Sequence, residues 1–355
     1  AFCPVLDSVG SCRFLDIPNI YRDVTASMYP AIAQNEQRLW YESQEENLAY
    51  YENQAAEENE QAKQIIAENE KAVAEQPVQQ ESQNVDETPT QKESKKPEKK
   101  TETSGKKVSV NRKKLQDFDY LRQTFYQVDN TTTIGKNQLD VDKLMKPDLK
   151  IDQSVDGPQI LIYHTHSQER YADSKDEKTG VVGVGDYLTE LLEEEGFQVM
   201  HHKGEYDVGD RDHAYSKAAP SIQKIINDNP SIQVVIDLHR DGVGENTRLV
   251  TTQNGKKMAK IMFFNGLSRT TASGDIPYLK NPYISDNLAF SFQMQLAAAE
   301  YYPDFTRRIY LKGYRFNMHF CPKSMLVEVG AQTNTFEEAK NAMEPLADLF
   351  AKVLK

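Results

Sequence analysis

The stretch ILIYHTHSQERY sets His164, His166 and Glu169 at the end of an apolar run, in a chain with only seven histidines among 355 residues. Two imidazoles and a carboxylate are the ligand set of a catalytic zinc, whose remaining position holds water. Such an ion lowers the pKa of its water and polarises a carbonyl, so the chemistry expected is a hydrolysis that releases an amine. Two other apolar runs end in polar groups: VVIDLHRDG carries Asp237, His239, Arg240 and Asp241, and MLVEVGAQTN carries Glu328. A carboxylate that is not a ligand must take the proton and pass it to the leaving group. Glu328 suits that role, because an unpaired carboxylate inside an otherwise buried strand is costly. The alternative is that Glu328 pairs with a nearby Arg or Lys for structure alone.

His164 and His166 stand two apart on an expected strand, so both side chains face the same side. His166 is nearer the strand end and forms H-x-x-E with Glu169, which favours it as the ligand, with His164 as a supporting or substrate-facing group; the alternative is that His164 is the ligand. His201, His202 and His213 fall in or beside HHKGEYDVGDRDHAYSK, rich in charge and glycine, and read as solvated. His319 in NMHFCPK reads as a packed core histidine. Cys321 has no partner at zinc spacing and reads as a small buried residue.

Positioning these groups falls to short apolar runs alternating with helical periodicity. Strands are expected at 159–166, 197–202, 233–240, 257–265, 308–312 and 325–329, with helices near 185–195, 215–227, 286–301 and 336–354. This alternation predicts an α/β fold with a mostly parallel twisted sheet and helices on both faces. Ligands in such sheets sit beyond the carboxyl ends of the strands, where the three polar clusters would converge. Thr335 and Glu338 form a capping box that starts the last helix.

Only 38% of the chain is hydrophobic and the formal net charge is −12, so part of it builds no core. Residues 1–76 are expected to be a helical extension with a thin apolar stripe, suited to spacing or docking. Residues 77–110, with PTQKESKKPEKKTETSGKK, form an expected disordered linker open to loose attraction by an anionic cell wall. The catalytic domain is placed at 111–355. An acidic balance argues against a nucleic-acid partner. There is no run of 18 apolar residues, and the chain starts at Ala1, which suggests an upstream segment was removed. Cys3 and Cys12 could close a disulfide in an oxidising compartment or stay as thiols.

At ILIYHTHSQERY, VVIDLHRDG, MLVEVGAQTNTFEEA and the upstream LRQTFYQVDNTTTI, the sequence resembles the stage II sporulation protein P family, cell-wall hydrolases of endospore-forming bacteria. The resemblance spans roughly 110–355. The family looks like a branch of the zinc-dependent N-acetylmuramoyl-L-alanine amidases, whose first ligand follows a strand in D-x-G-H, and laying LIYHTH over that strand selects His166. The resemblance implies Zn2+ held by His166, Glu169 and His239, with Glu328 as general base; Arg240 is grouped with Glu328 in the catalytic set. The related amidases take their glutamate ligand from further downstream, ahead of a helix. The implied reaction cuts the amide between N-acetylmuramic acid and L-alanine, and also peptide crosslinks. Implied too are a membrane anchor ahead of the spacer, an extracytoplasmic location at the sporulation septum during engulfment, and a partner, the lytic transglycosylase stage II sporulation protein D. Two other readings suit the residues: a zinc carboxypeptidase-like enzyme, which needs an arginine clamp that Arg240 or Arg248 would supply in part, and a non-catalytic glycan-binding scaffold.

Overall fold

The computed structural model describes Val108 and residues 110–355. The expected helical extension, most of the linker and the Cys3–Cys12 pair lie outside the described residues. The described chain opens with α1 (Arg112–Leu115), α2 (Phe118–Phe125), β1 (Tyr126–Val128) and α3 (Val141–Met145). Next come β2 (Ile160–Tyr163), α4 (Val181–Glu194), β3 (Val199–His201), α5 (Ala214–Asp228) and β4 (Val234–Asp241). A hairpin of β5 (Val250–Gln253) and β6 (Lys256–Ala259) precedes β7 (Ile261–Gly266) and the short pair β8 (Arg269–Thr270) and β9 (Gly274–Asp275). The chain closes with α6 (Ile284–Tyr301), β10 (Ile309–Lys312), β11 (Lys323–Ala331) and α7 (Phe336–Leu354).

Among the described residues one sheet has seven strands in the order β1-β10-β7-β11-β4-β2-β3. Every neighbouring pair is parallel except β11 with β7. The expected mostly parallel α/β sheet is therefore present. Because β2, β4 and β11 run the same way, their carboxyl ends lie at one edge, and these strands deliver the three polar clusters.

Side-chain alternation explains the two layers. Ile160, Ile162, Val234, Ile236, Leu238, Met325 and Val327 join the larger core with Val184 and Leu188 of α4, Phe290 of α6 and Leu346 of α7. The intervening Leu161, Tyr163 and Val235 pack with Ala218 and Ile222 of α5. All four residues of β2 are buried, as expected of a strand covered on both faces. The capping box is formed: Thr335 accepts from Glu338 N–H and the Glu338 side chain reaches back.

One expected strand is corrected. The run 257–265 breaks at Lys260, so that β6 pairs with β5 in a separate hairpin while β7 joins the main sheet. Asn254 (φ 52°) and Gly255 (φ 77°) both occupy the left-handed region at the hairpin tip. An Asn-Gly pair is what a two-residue turn of this kind requires.

Described core residues run from Leu115 to Leu354. A protein beginning near residue 108 is therefore expected to fold alone. Thermal unfolding checks this: a cooperative transition close to that of the whole chain is expected, and its loss would place part of the core upstream.

Candidate functional site

Strand β2 stops at Tyr163, and residues after it turn sharply, so His164 and His166 do not share a strand face as the sequence suggests. They have different surroundings. His164 is fully buried, and its Nδ1–H donates to the Leu238 carbonyl at 2.7 Å. Its Nε2 lies 2.8 Å from His201 Nε2, and His201 Nδ1 lies 2.9 Å from Asp186. Gly185 makes room for this pair, since a Cβ there would stand 2.8 Å from both Nε2 atoms. Burial, then the neighbouring His201, lowers the His164 pKa to about 3, so the ring stays neutral. His166 instead meets the rings of Tyr215 at 5.6 Å and His239 at 5.4 Å. Its Nδ1 is buried without a hydrogen-bond partner, 3.9 Å from Asp207. Burial and the nearby His239 bring its pKa down to about 4.

Glu169 is buried at the end of the same turn. Its Oε1 accepts from Arg211 Nη2 at 2.8 Å and its Oε2 accepts from the Arg240 backbone N–H at 2.9 Å. Oε2 also lies 3.5 Å from His239 Nδ1. Burial opposes its charge, but His239 and Arg240 outweigh that and hold it well below the usual carboxylate range. His239 sits between two carboxylates, with Nε2 2.7 Å from Asp237 Oδ1, a close approach that does not align as a hydrogen bond. Burial would depress its pKa, yet Asp237 and Glu169 raise it well above the ordinary value. Asp237 is itself fixed, accepting from Thr165 N at 2.9 Å and Thr165 Oγ1 at 2.6 Å.

Glu328 lies in β11 directly beside His239 of β4, and paired residues of parallel strands point to the same face. Its Oε2 is buried with no hydrogen-bond partner. Pairing with Arg or Lys for structure is not what the fold provides: Arg307 turns to Asp241. Burial first, then Asp241 and Glu169, push the Glu328 carboxyl up to about 8.

The fit to a metal ion can be judged from these atoms. Two ligands each about 2.1 Å from a tetrahedral ion stand about 3.4 Å apart. Glu169 Oε2 and His239 Nδ1, 3.5 Å apart, meet that spacing. Asp237 stands 2.7 Å from the other nitrogen of His239, on the side from which a metal-bound imidazole is supported, but out of hydrogen-bond alignment. The buried, unpartnered Nδ1 of His166 suits a third ligand. Among the described residues, however, no three His, Cys, Asp or Glu side chains are gathered closely enough to hold an ion. The donor types and one pair fit; His166 stands apart from that pair.

Arg240, placed in the catalytic set by the sequence, reaches the cluster only through its backbone N–H. Its guanidinium donates to the carbonyls of Arg170 and Asp241. Arg248 pairs with Glu338. Neither guanidinium stands as a clamp for a substrate carboxylate, so the carboxypeptidase-like reading gains no support.

Three residues of the segment read as solvated belong to the site. Asp207, almost wholly buried, accepts from Ser167 N, Ser167 Oγ and Gln168 N and so pins the His166 turn. Arg211 holds Glu169, and the Tyr215 ring stacks over His239 at 6.4 Å. No sequence signal marked them, because Asp207 and Arg211 lie ahead of α5 and their spacing of four has no facing rule outside a helix. The His201 side chain is likewise only 5% exposed rather than solvated. His319 meets the Phe320 ring at 4.6 Å but is part-buried rather than in the core, while Cys321 is buried, as expected.

A family profile described as Stage II sporulation protein P matches residues 31–351. Stage II sporulation protein P of Bacillus subtilis (strain 168) is 23% identical over 245 residues, covering 63% of this chain and 58% of that protein. The chain thus spans less than two thirds of the length of this curated relative. Among solved structures, the catalytic domain of CwlV, an N-acetylmuramoyl-L-alanine amidase from Bacillus (Paenibacillus) polymyxa var. colistinus, matches at 12% identity with a TM-score of 0.32. That match covers 55% of this chain and 94% of the other. An N-acetylmuramoyl-L-alanine amidase from Clostridium difficile 630 matches at 12% identity and a TM-score of 0.35, over 56% of this chain and 95% of the other.

Proposed function

The chain belongs to the stage II sporulation protein P family, and from that premise we propose that it is a zinc-dependent peptidoglycan hydrolase. It cuts the amide between N-acetylmuramic acid and L-alanine, and peptide crosslinks, during engulfment in sporulation. The observation that carries this reading is Glu328: an unpaired carboxylate, raised to about 8, set beside His239 where the carboxyl ends of β4 and β11 meet. A group so poised exchanges a proton near neutral pH, which is what amide hydrolysis asks of its base.

In this reading His166, Glu169 and His239 would hold Zn2+, which would supply Lewis acidity to the scissile carbonyl and to the attacking water. Glu328 takes a proton from the attacking water and returns it to the leaving nitrogen. Asp237, anchored by Thr165, keeps His239 oriented, while Arg211 holds one oxygen of Glu169 so that the other stays turned to His239. Tyr215 walls the two histidines on one side. The protein works outside the membrane at the sporulation septum, held there through a membrane anchor, with the lytic transglycosylase stage II sporulation protein D acting on the stripped glycan. Among the described residues no helix is long and apolar enough to cross a membrane.

Mass analysis of purified peptidoglycan after digestion with zinc present tests the reaction. Release of stem peptides beginning with L-alanine marks the amidase; intact muropeptides after incubation with zinc-loaded protein refute it.

Arg211→Ala is expected to weaken zinc binding roughly 10-fold or more, the usual cost of losing a group that orients a ligand. Competition with a chromophoric chelator reads this directly, and unchanged affinity would show that Glu169 orients without its arginine.

A further inference from the structure

The loop between β10 and β11 holds an arginine, Arg315, that no carboxylate among the described residues pairs with. Arg211, Arg248, Arg269 and Arg307 each face a carboxylate. Arg315 is part-buried, its Nε is buried without a hydrogen-bond partner, and its Nη1 makes one long bond, 3.4 Å, to the Lys280 carbonyl. His319, four residues on, also has a buried Nδ1 without a partner. Burial lowers the Arg315 pKa to about 10; burial and the nearby arginine lower His319 to about 3. A guanidinium taken out of water without a counter-charge is costly, and its planar fork of donors matches a carboxylate.

The loop is held where it is against its own backbone preference. Phe316 (φ 48°) and Asn317 (φ 54°) are consecutive non-glycine residues in the left-handed region, a conformation that persists only when surroundings enforce it. Asn317 Nδ2 donates to the Tyr215 carbonyl at 2.9 Å, and the Phe316 ring meets Tyr215 edge-on at 5.4 Å and Phe264 at 4.8 Å. Tyr215 in turn stacks over His239. Rings of Tyr215 and Phe316 thus link the candidate catalytic cluster to the residue beside Arg315.

We infer that Arg315, with His319 next to it, is a subsite for a free carboxylate of the substrate's stem peptide. The inference rests on the peptidoglycan reading and adds to it which part of the substrate is gripped: the acidic peptide rather than the sugar. Arg315 binds and does not take part in the chemistry, so its contribution belongs to KM.

The test uses the whole chain loaded with zinc and two soluble muropeptides, identical except that the stem-peptide carboxylates are free in one and amidated in the other. Wild type is expected to favour the free acid, with a KM lower by about 10-fold, the scale of a hydrogen bond to a charged group. Arg315→Gln should remove that preference by raising KM for the free acid alone, with kcat little changed, and Arg315→Lys should restore part of it. Equal KM values in wild type overturn the subsite without any variant, as does an Arg315→Gln protein that loses both substrates equally. Zinc-loaded wild type that cleaves neither muropeptide defeats the peptidoglycan reading, and the subsite with it.

Discussion

His239→Ala is expected to abolish zinc retention and cleavage together. The imidazole lies between Asp237 and Glu169, so its loss removes one of the three proposed ligands and leaves two buried carboxylates facing each other across the gap. Asp237 keeps its two bonds from Thr165, and Leu238 beneath stays in the core, so the sheet should survive. The ring is 3% exposed, deeper than a ligand at a surface mouth. Breaking a buried charge pair costs on the order of 3 kcal/mol, so melting should fall as well. Zinc content after dialysis, activity and a melting curve on one preparation separate these effects. Full activity in a zinc-free His239→Ala protein rules out the zinc mechanism.

Glu328→Gln separates the base from the ligands. Glutamine keeps the shape but accepts no proton, so turnover should fall by about 10²-fold or more while zinc stays bound. Loss of zinc in this variant would instead make Glu328 a ligand. The same substitution has a stability signature in metal-free protein. The folded carboxyl titrates at about 8 and the ordinary value is 4.5. A group raised on folding supports the fold fully below its unfolded pKa, and that support drains away as pH rises through the folded value. Glutamine cannot ionise, so the variant should melt above wild type at pH 9, with the gap closing toward pH 4.5. Parallel melting curves across that range would show that Glu328 is not held in an unfavourable setting.

Sequence alone supplied the polar strand ends and the alternation that puts them on one edge. Glu328 announced itself because a charge inside SMLVEVG conflicts with its surroundings. What stayed hidden depends on contacts between distant segments. Whether His164 and His166 share a face turns on where β2 stops, and it stops one residue before the first histidine. Asp207, Arg211 and Tyr215 sit among glycines and charges that look solvated, and only the fold brings them to the His166 turn, Glu169 and His239. The Lys260 break was announced by Asn254-Gly255, a turn pair that outweighs the apolar run after it.

The order of strands has a bearing on synthesis. β11 is the last strand to leave the ribosome, yet it is the fourth of seven in space, seated between β4 and β7. Without residues 323–331 the strand order falls into two halves, β1-β10-β7 and β4-β2-β3, and the facing edges of β7 and β4 are left without a partner. Joining them requires contacts far apart in the chain, which makes closure slow. The strand that closes the sheet also brings in Glu328. An unfinished chain therefore lacks both its seam and the proposed base, and the proposed activity would be withheld until the polypeptide is almost complete.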